Sequence, residues 1–242
     1  MDQFDFSGKK IIVTGASSGI GRATAIFLSK TGAQVIIFAR REDELKKTLS
    51  LMEGEKHSYK VLDVSKFDSV LAAITNIVEE DGIKIDYVAH CAGVGIPKPL
   101  RIITEDFINL IIQTNFYSFA AILRCVAQRK LFNQGGAVVG VSSCAAPYGD
   151  SGNSIYAASK GAMDSLMRSA AKELRSRGIR VNTICPRGIR TEMLINQPYT
   201  TYSELPNDLI PPENVASVIA ALLSDSMQAV SGIALDVDGA NK

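Results

Sequence analysis

Histidine is almost missing from this sequence: His57 and His90 are the only two among 242 residues. They are too far apart to share a ligand set with metal-type spacing, so no metal site is expected. Cysteine is sparse as well. Cys91, Cys125, Cys144 and Cys185 are scattered without redox or zinc spacing, and they read as reduced thiols of a cytoplasmic protein. Net charge is nearly nil, since 26 Lys and Arg face 25 Asp and Glu for a formal +1. That balance supplies no reason to bind nucleic acid or an anionic membrane. No apolar run nears the roughly 20 residues of a membrane span. The stretch Met1 to Lys10 has two acids before any base and no apolar core, unlike a secretory signal. No linker, repeat or low-complexity tract divides the chain, so residues 1–242 are expected to form a single domain.

What is present is enough apolar material, 46% of residues, to bury a sizeable core. Short β-rich runs alternate with helical patterns from end to end. This predicts an α/β fold, a doubly wound parallel sheet with helices on both faces. Strands are expected at residues 10–14, 34–38, 59–62, 87–91, 137–141, 180–185 and 233–237. Helices are expected at 20–30, from Glu42 to about Met52, along the face Val70, Ile74, Ile77 and Val78, around Asn115, from Ser154 to about Arg177, and at 214–223. Gly32 closes the first, Ser154 is read as the N-cap of the penultimate one, and Pro147 to Asn153 reads as a loop.

Two stretches carry chemistry. The first, Thr14-Gly15-Ala16-Ser17-Ser18-Gly19-Ile20-Gly21, joins the first strand to the first helix. Glycine permits a tight turn and a close backbone approach to a ligand. The helix start offers free N–H groups and a positive dipole end to a phosphate. This is a dinucleotide loop, with glycine spacing other than G-x-G-x-x-G. Gly15 to Gly19 also spells G-x-S-x-G, but a hydrolase elbow needs an acid and then a histidine downstream. No histidine follows His90, so that reading fails.

The second stretch runs from Val138 to Lys160. An apolar strand ends in Ser142-Ser143, and a helix then carries Tyr156 and Lys160 four residues apart, on one face. A phenol with a pKa of about 10 is a poor acid or base near neutrality, but an adjacent ammonium favours its charged form. Such a pair can exchange a proton with an alcohol or carbonyl oxygen, and Ser143 can hydrogen-bond that same oxygen. A lone Tyr-x-x-x-Lys is equally a helical surface pair.

In their order and spacing, the Thr14-to-Gly21 loop, Asp63-Val64, Ala92-Gly93, Asn115, Ser143, Tyr156-x-x-x-Lys160, Pro186, Thr191 and the ending Val237-Asp238-Gly239 are highly specific. With them the chain resembles a short-chain dehydrogenase/reductase of the compact branch, along nearly its full length. The resemblance implies a Rossmann-type sheet of seven strands and a tetrad of Asn115, Ser143, Tyr156 and Lys160. In it Tyr156 protonates a carbonyl oxygen as hydride arrives from the nicotinamide, and acts as the base in reverse. Ser143 orients the oxygen. Lys160 holds ribose hydroxyls and depresses the tyrosine pKa, and Asn115 keeps a kinked helix and a water in a proton relay. Cofactor contacts are implied for Gly15, Ser17, Ser18, Gly19, Ile20, Gly21, Val64, Ala92, Gly93, Tyr156, Lys160, Pro186, Ile189 and Thr191. Asp63 matches the adenine-binding residue, although an aspartate after a strand also serves as an N-cap.

NAD-preferring relatives place an acid at the end of the second strand. Here Ala39 holds that position and Arg40 follows, which suits a 2′-phosphate and makes NADP (NADPH) the expected cofactor. Arg40 also reads, with Arg41, as a solvated base at a helix start. The usual Asn-Asn-Ala-Gly is His90-Cys91-Ala92-Gly93, and His90 is read as a hydrogen-bonded core residue. Cys144 is read as an inert thiol, with a reactive one as the alternative. Arg187 replaces a glycine, so its side chain must turn away from the cofactor, to solvent, to the cofactor phosphates or to an anionic group on the substrate. Residues 94–100, 145–153 and 193–211 are expected to line the substrate side, with Ile96, Met193, Leu194, Ile195, Tyr199 and Tyr202 giving an apolar pocket. The expected partners are a small-molecule carbonyl or alcohol substrate and further copies of the chain, as a homotetramer. The alternative is a cofactor-binding sensor or scaffold without turnover.

Overall fold

Ile11-Ile12-Val13 and Val35-Ile36-Ile37-Phe38 are buried at every position, as strands covered on both faces must be. A computed structural model describes residues 4–195 and 209–238, and these strands lie at its centre. The first half runs β1 (Lys10–Thr14), α1 (Gly19–Ser29), β2 (Gln34–Ala39), α2 (Glu42–Ser50), β3 (Ser58–Val61), α3 (Phe67–Asp81) and β4 (Ile85–His90). The second half runs α4 (Glu105–Ile112), α5 (Ser118–Val126), β5 (Phe132–Val141), α6 (Ala145–Tyr148), α7 (Ser154–Glu173), β6 (Arg180–Pro186), α8 (Glu192–Ile195), α9 (Pro212–Leu223) and β7 (Ala234–Val237). The seven strands are all parallel, in the order β3-β2-β1-β4-β5-β6-β7. One apolar cluster fills the face under α3, α5 and α7, and a second fills the face under α1 and α9. Strand order reverses between β1 and β4, and the carboxyl ends there open the crevice in which such sheets bind ligands.

The expected elements are found, with differences that have local causes. Strand β5 starts at Phe132, five residues before the apolar run, because Gly136 has no Cβ to strike the Asp86 carbonyl and lets the strand pass. Its register with β4 shifts at that point. The stretch expected as a loop from Pro147 begins inside the short helix α6. Asn153, not Ser154, precedes α7, and the buried Ser154 hydroxyl finds no partner. The long helix around Asn115 is broken by a π turn over Gln113–Tyr117, the kind of insertion that bends a helix and often marks a functional position.

Buried cations close the helix ends. Arg180 donates to the carbonyls of Leu222, Leu223 and Ser224, and Arg177 to those of Val126, Ala127 and Phe132. The first five are C-terminal carbonyls that have no partner inside their helices, and that of Phe132 opens β5. Among the described residues no helix is long and apolar enough to cross a membrane.

Candidate active site

The loop after β1 is closed by two glycines. Gly15 has φ of +68°, and a Cβ there would lie 2.7 Å from the Ala92 backbone nitrogen. A Cβ on Gly21 would run into the Gly15 carbonyl. Any larger residue would push the first turn of α1 out of the crevice. Ser18, at the N-cap of α1, makes no side-chain cap bond. Its hydroxyl and that of Ser17 instead accept from Arg41 Nη2, at 3.1 and 3.2 Å. Arg41 also reaches Glu192 on α8, at 3.6 Å.

Above the loop lies a cavity of about 580 Å³. Every residue expected on the cofactor side lines it: Gly15, Ser17 to Gly21, Arg40, Asp63, Val64, Ala92, Gly93, Pro186, Ile189 and Thr191. Glycines that admit no Cβ, helix-start amides and two arginines at one end fit an extended anionic dinucleotide. Asp63 is not the N-cap of α3, a place that Lys66 takes. It lines the cavity, while its Oδ1 accepts from the Ser65 amide and hydroxyl at 3.1 and 2.7 Å and so shapes the turn into α3.

Ser143, Tyr156 and Lys160 meet at the other end of the same cavity. Ser143 follows β5, its hydroxyl accepts from the Ala145 amide at 3.2 Å, and it stands beside the Tyr156 phenol. Lys160 Nζ donates to the Val141 carbonyl at 2.7 Å and lies 5.8 Å over the Tyr156 ring. Burial pushes the Lys160 ammonium down to about 8. Burial also pushes the Tyr156 phenol up, against the influence of Ser143. The expectation that Lys160 depresses this phenol is therefore not met in the structure. The ammonium is held over the ring face by its bond to the Val141 carbonyl, and desolvation prevails at the phenol.

Asn115 does not line the cavity. From the π turn its Oδ1 accepts from the Val94 amide at 2.8 Å, while Nδ2 donates to the Val94 carbonyl at 3.0 Å and to Ser159 Oγ at 2.9 Å. Ser159 in turn donates to the Tyr156 carbonyl at 2.6 Å. Asn115 thus clips the loop after β4 to α7, the helix that carries Tyr156. Gly93 makes room for this, since a Cβ there would lie 3.2 Å from Lys160 Nζ.

His90 is fully buried and hydrogen-bonded at both ring nitrogens. Thr14 Oγ1 lies 2.9 Å from Nδ1, and Ser118 Oγ 3.0 Å from Nε2. Ser118 already donates to the Thr114 carbonyl and Thr14 already accepts from the Ala92 amide. The ring must then accept at Nδ1 and donate at Nε2, as a neutral imidazole. Burial pushes its pKa down to about 3, with Lys160 adding to the effect. This chain of bonds ties β1 and β4 to the start of α5. Cys91 is pushed up to about 12 by burial and stays a thiol, and Cys144 is half-buried on the cavity wall.

Arg187 takes the first of its expected courses and turns to solvent. Its side chain is exposed and does not line the cavity, and its amide donates to the Val237 carbonyl at 3.0 Å. Gly188, with φ of +35°, supplies the freedom one residue later. On the substrate side, Met193 and Leu194 line the cavity with Val94, Ala145 and Asp150. Ile96 is exposed and is not part of the wall. Tyr199 and Tyr202 lie outside the described residues. Sequence reasoning missed Arg41 and Ser159. The pair Arg40-Arg41 was visible, but which arginine meets the loop depends on how α2 starts, and Ser159 read as one more small helix residue.

A family model described as "Enoyl-(Acyl carrier protein) reductase" matches residues 15–240. The 3-oxoacyl-[acyl-carrier-protein] reductase of Thermotoga maritima is 33% identical over 240 residues, covering 96% of this chain and 97% of that protein. A short chain dehydrogenase from Burkholderia cenocepacia, solved in complex with NADP, superposes with a TM-score of 0.88 at 27% identity, covering 96% of this chain and 97% of that one. The 3-ketoacyl-(acyl-carrier-protein) reductase from Brucella melitensis, complexed with NADH, gives 0.85 at 25% identity, covering 97% and 98%.

Proposed function

Since this chain belongs to the short-chain dehydrogenase/reductase family of oxidoreductases, we propose that it transfers a hydride between NADP(H) and a carbonyl or alcohol substrate. The observation that carries this reading is one cavity with the glycine loop at one end and Ser143, Tyr156 and Lys160 at the other. The nicotinamide of a bound dinucleotide supplies or takes the hydride. Tyr156 gives its phenolic proton to the carbonyl oxygen, a task suited to a phenol that burial keeps protonated. Ser143 donates a hydrogen bond to the same oxygen and fixes its direction. Lys160, a cation held over the Tyr156 ring, is placed to meet ribose hydroxyls. Asn115 holds the loop and helix that set these distances.

The substrate end is walled by Val94, Ala145, Met193 and Leu194, with Asp150 among them. That wall favours a neutral carbonyl compound with an apolar body and disfavours an anionic one. The test is a panel of ketones, 3-oxoacyl thioesters and aldehydes, followed by NADPH consumption at saturating cofactor. Oxidation with at least one neutral substrate is expected. Tight dinucleotide binding with no turnover across the panel would favour a sensor or scaffold instead.

NADP is expected to bind about ten- to a hundredfold more tightly than NAD, the worth of a charged hydrogen bond to the 2′-phosphate. Ala39 offers no carboxylate to a ribose, and Arg40 and Arg41 stand beside it at the cavity. Calorimetry on wild type and on the double variant Arg40→Ala, Arg41→Ala checks this: the variant should lose the preference. Equal dissociation constants in wild type would make both arginines solvated bases.

A homotetramer is proposed as well, and light scattering at working concentration is expected to return four times the chain mass. Ile108, Leu110 and Tyr117 are exposed on α4 and the turn after it. Small residues on α7 (Ala157, Ala158, Gly161 and Ala162) would permit close packing of a second copy, and of these Ala158 is exposed whereas Ala157 is buried within its own chain. A monomer mass would show that these apolar side chains face water.

A further inference from the structure

Asp164 stands one helical turn beyond Lys160 on α7, as Lys160 stands one turn beyond Tyr156. The three therefore share one face of the helix. That face is closed against β6, leaving Asp164 4% exposed and Lys160 3%. One Asp164 oxygen accepts from Thr183 Oγ1 at 2.8 Å, and the other lies 4.0 Å from Cys185 Sγ. The Ser142 hydroxyl donates to the Lys160 carbonyl at 3.4 Å on the same face. An acid and a base buried this deeply are each strongly unfavourable alone, and each is tolerated when the other offsets its charge. The proposed mechanism uses Lys160 and leaves Asp164 without a task.

We propose that Asp164 is a positioning residue, a buried counter-charge that keeps Lys160 protonated and its ammonium held between Val141 and the Tyr156 ring. Thr183 anchors that carboxylate to β6, so the charge cannot swing away. The inference rests on the reading of Tyr156 and Lys160 given above. The other titratable groups that face this pair supply no competing anion. From β4, His90 is neutral and Cys91 is a thiol pushed up to about 12 by burial. From β6, Cys185 is a thiol pushed up to about 11 by burial. On α7 itself, Tyr156 is a protonated phenol and Arg168, one turn beyond Asp164, is an exposed cation. Burial lowers Lys160 to about 8, and Asp164 is the largest influence acting in the other direction. Burial also pushes the Asp164 carboxyl above its ordinary range, against the hydrogen bond from Thr183.

The test is an NMR titration of lysine labelled at Cε, on the full chain with no dinucleotide added. Asp164→Asn is expected to lower the Lys160 pKa by about one unit or more, and Asp164→Glu to restore most of that loss. The alkaline limb of kcat/KM should move down by the same amount in Asp164→Asn, which a purely structural role would not produce. A folded Asp164→Asn protein whose Lys160 titrates as in wild type overturns the proposal. If that variant does not fold, carboxyl-labelled aspartate in the wild-type protein decides. Asp164 must be ionised at pH 7, and a protonated Asp164 overturns the proposal. Because Lys160 is titrated without turnover, a shifted Lys160 in a protein that reduces no carbonyl would sink the enzymatic reading and leave this pairing standing.

Discussion

Replacing Tyr156 with Phe is expected to lower kcat by about a thousandfold, within the range that a positioned general acid contributes. The substitution removes one oxygen and leaves the ring. That ring packs against Gly95 and lies under Lys160 Nζ, so the cavity keeps its shape. Dinucleotide affinity should therefore stay within about twofold of wild type, because the phosphate-facing loop lies at the other end of the cavity. Steady-state kinetics and calorimetry on the same preparation check both halves. Turnover within about threefold of wild type would remove Tyr156 from the chemistry, since general acid catalysis is worth far more than that. A matching loss of dinucleotide affinity would instead make Tyr156 a cofactor-binding side chain.

Acid is expected to destabilise this protein early, through His90. The unfolded imidazole titrates near about 6.5, and burial holds the folded one down to about 3. Between those values the unfolded chain binds a proton that the folded chain refuses, so stability rises with pH across that window. The contribution is complete above about 6.5 and is lost progressively as pH falls toward about 3. By pH 5 the loss amounts to about 2 kcal/mol, before most carboxylates begin to titrate. Urea unfolding at pH 7 and pH 5, on wild type and on His90→Asn, isolates the effect. Wild type should lose about 2 kcal/mol more than the variant over that interval. Equal losses would mean that the bonds from Thr14 and to Ser118 open readily enough to admit the proton.

The same histidine separates what was legible in the sequence from what was not. Its place in a strand, its burial and its hydrogen-bonded character follow from the apolar residues around it. Its partners do not, because Thr14 lies 76 positions away and Ser118 lies 28. The glycine loop was legible in full, since a left-handed φ at Gly15 and the missing Cβ at Gly21 are demands made within one turn. Tyr156 and Lys160 were legible as a pair because helical spacing puts them on one face. The direction of the Lys160 ammonium was not, because it is set by a carbonyl of β5 across the sheet.

By itself the sequence determined the sheet, the order in which strands and helices alternate, and which residues could gather at the carboxyl edge. Those are matters of period, of apolar runs and of glycine, and each is decided within a few neighbouring residues. Tertiary structure alone decided that Arg41 meets the loop hydroxyls, that Arg187 turns to solvent, that Asn115 acts through Val94 and Ser159, and that Asp164 goes into the core beside Lys160. Each is an encounter between side chains brought together from separate elements, where burial makes every unpartnered charge and donor costly.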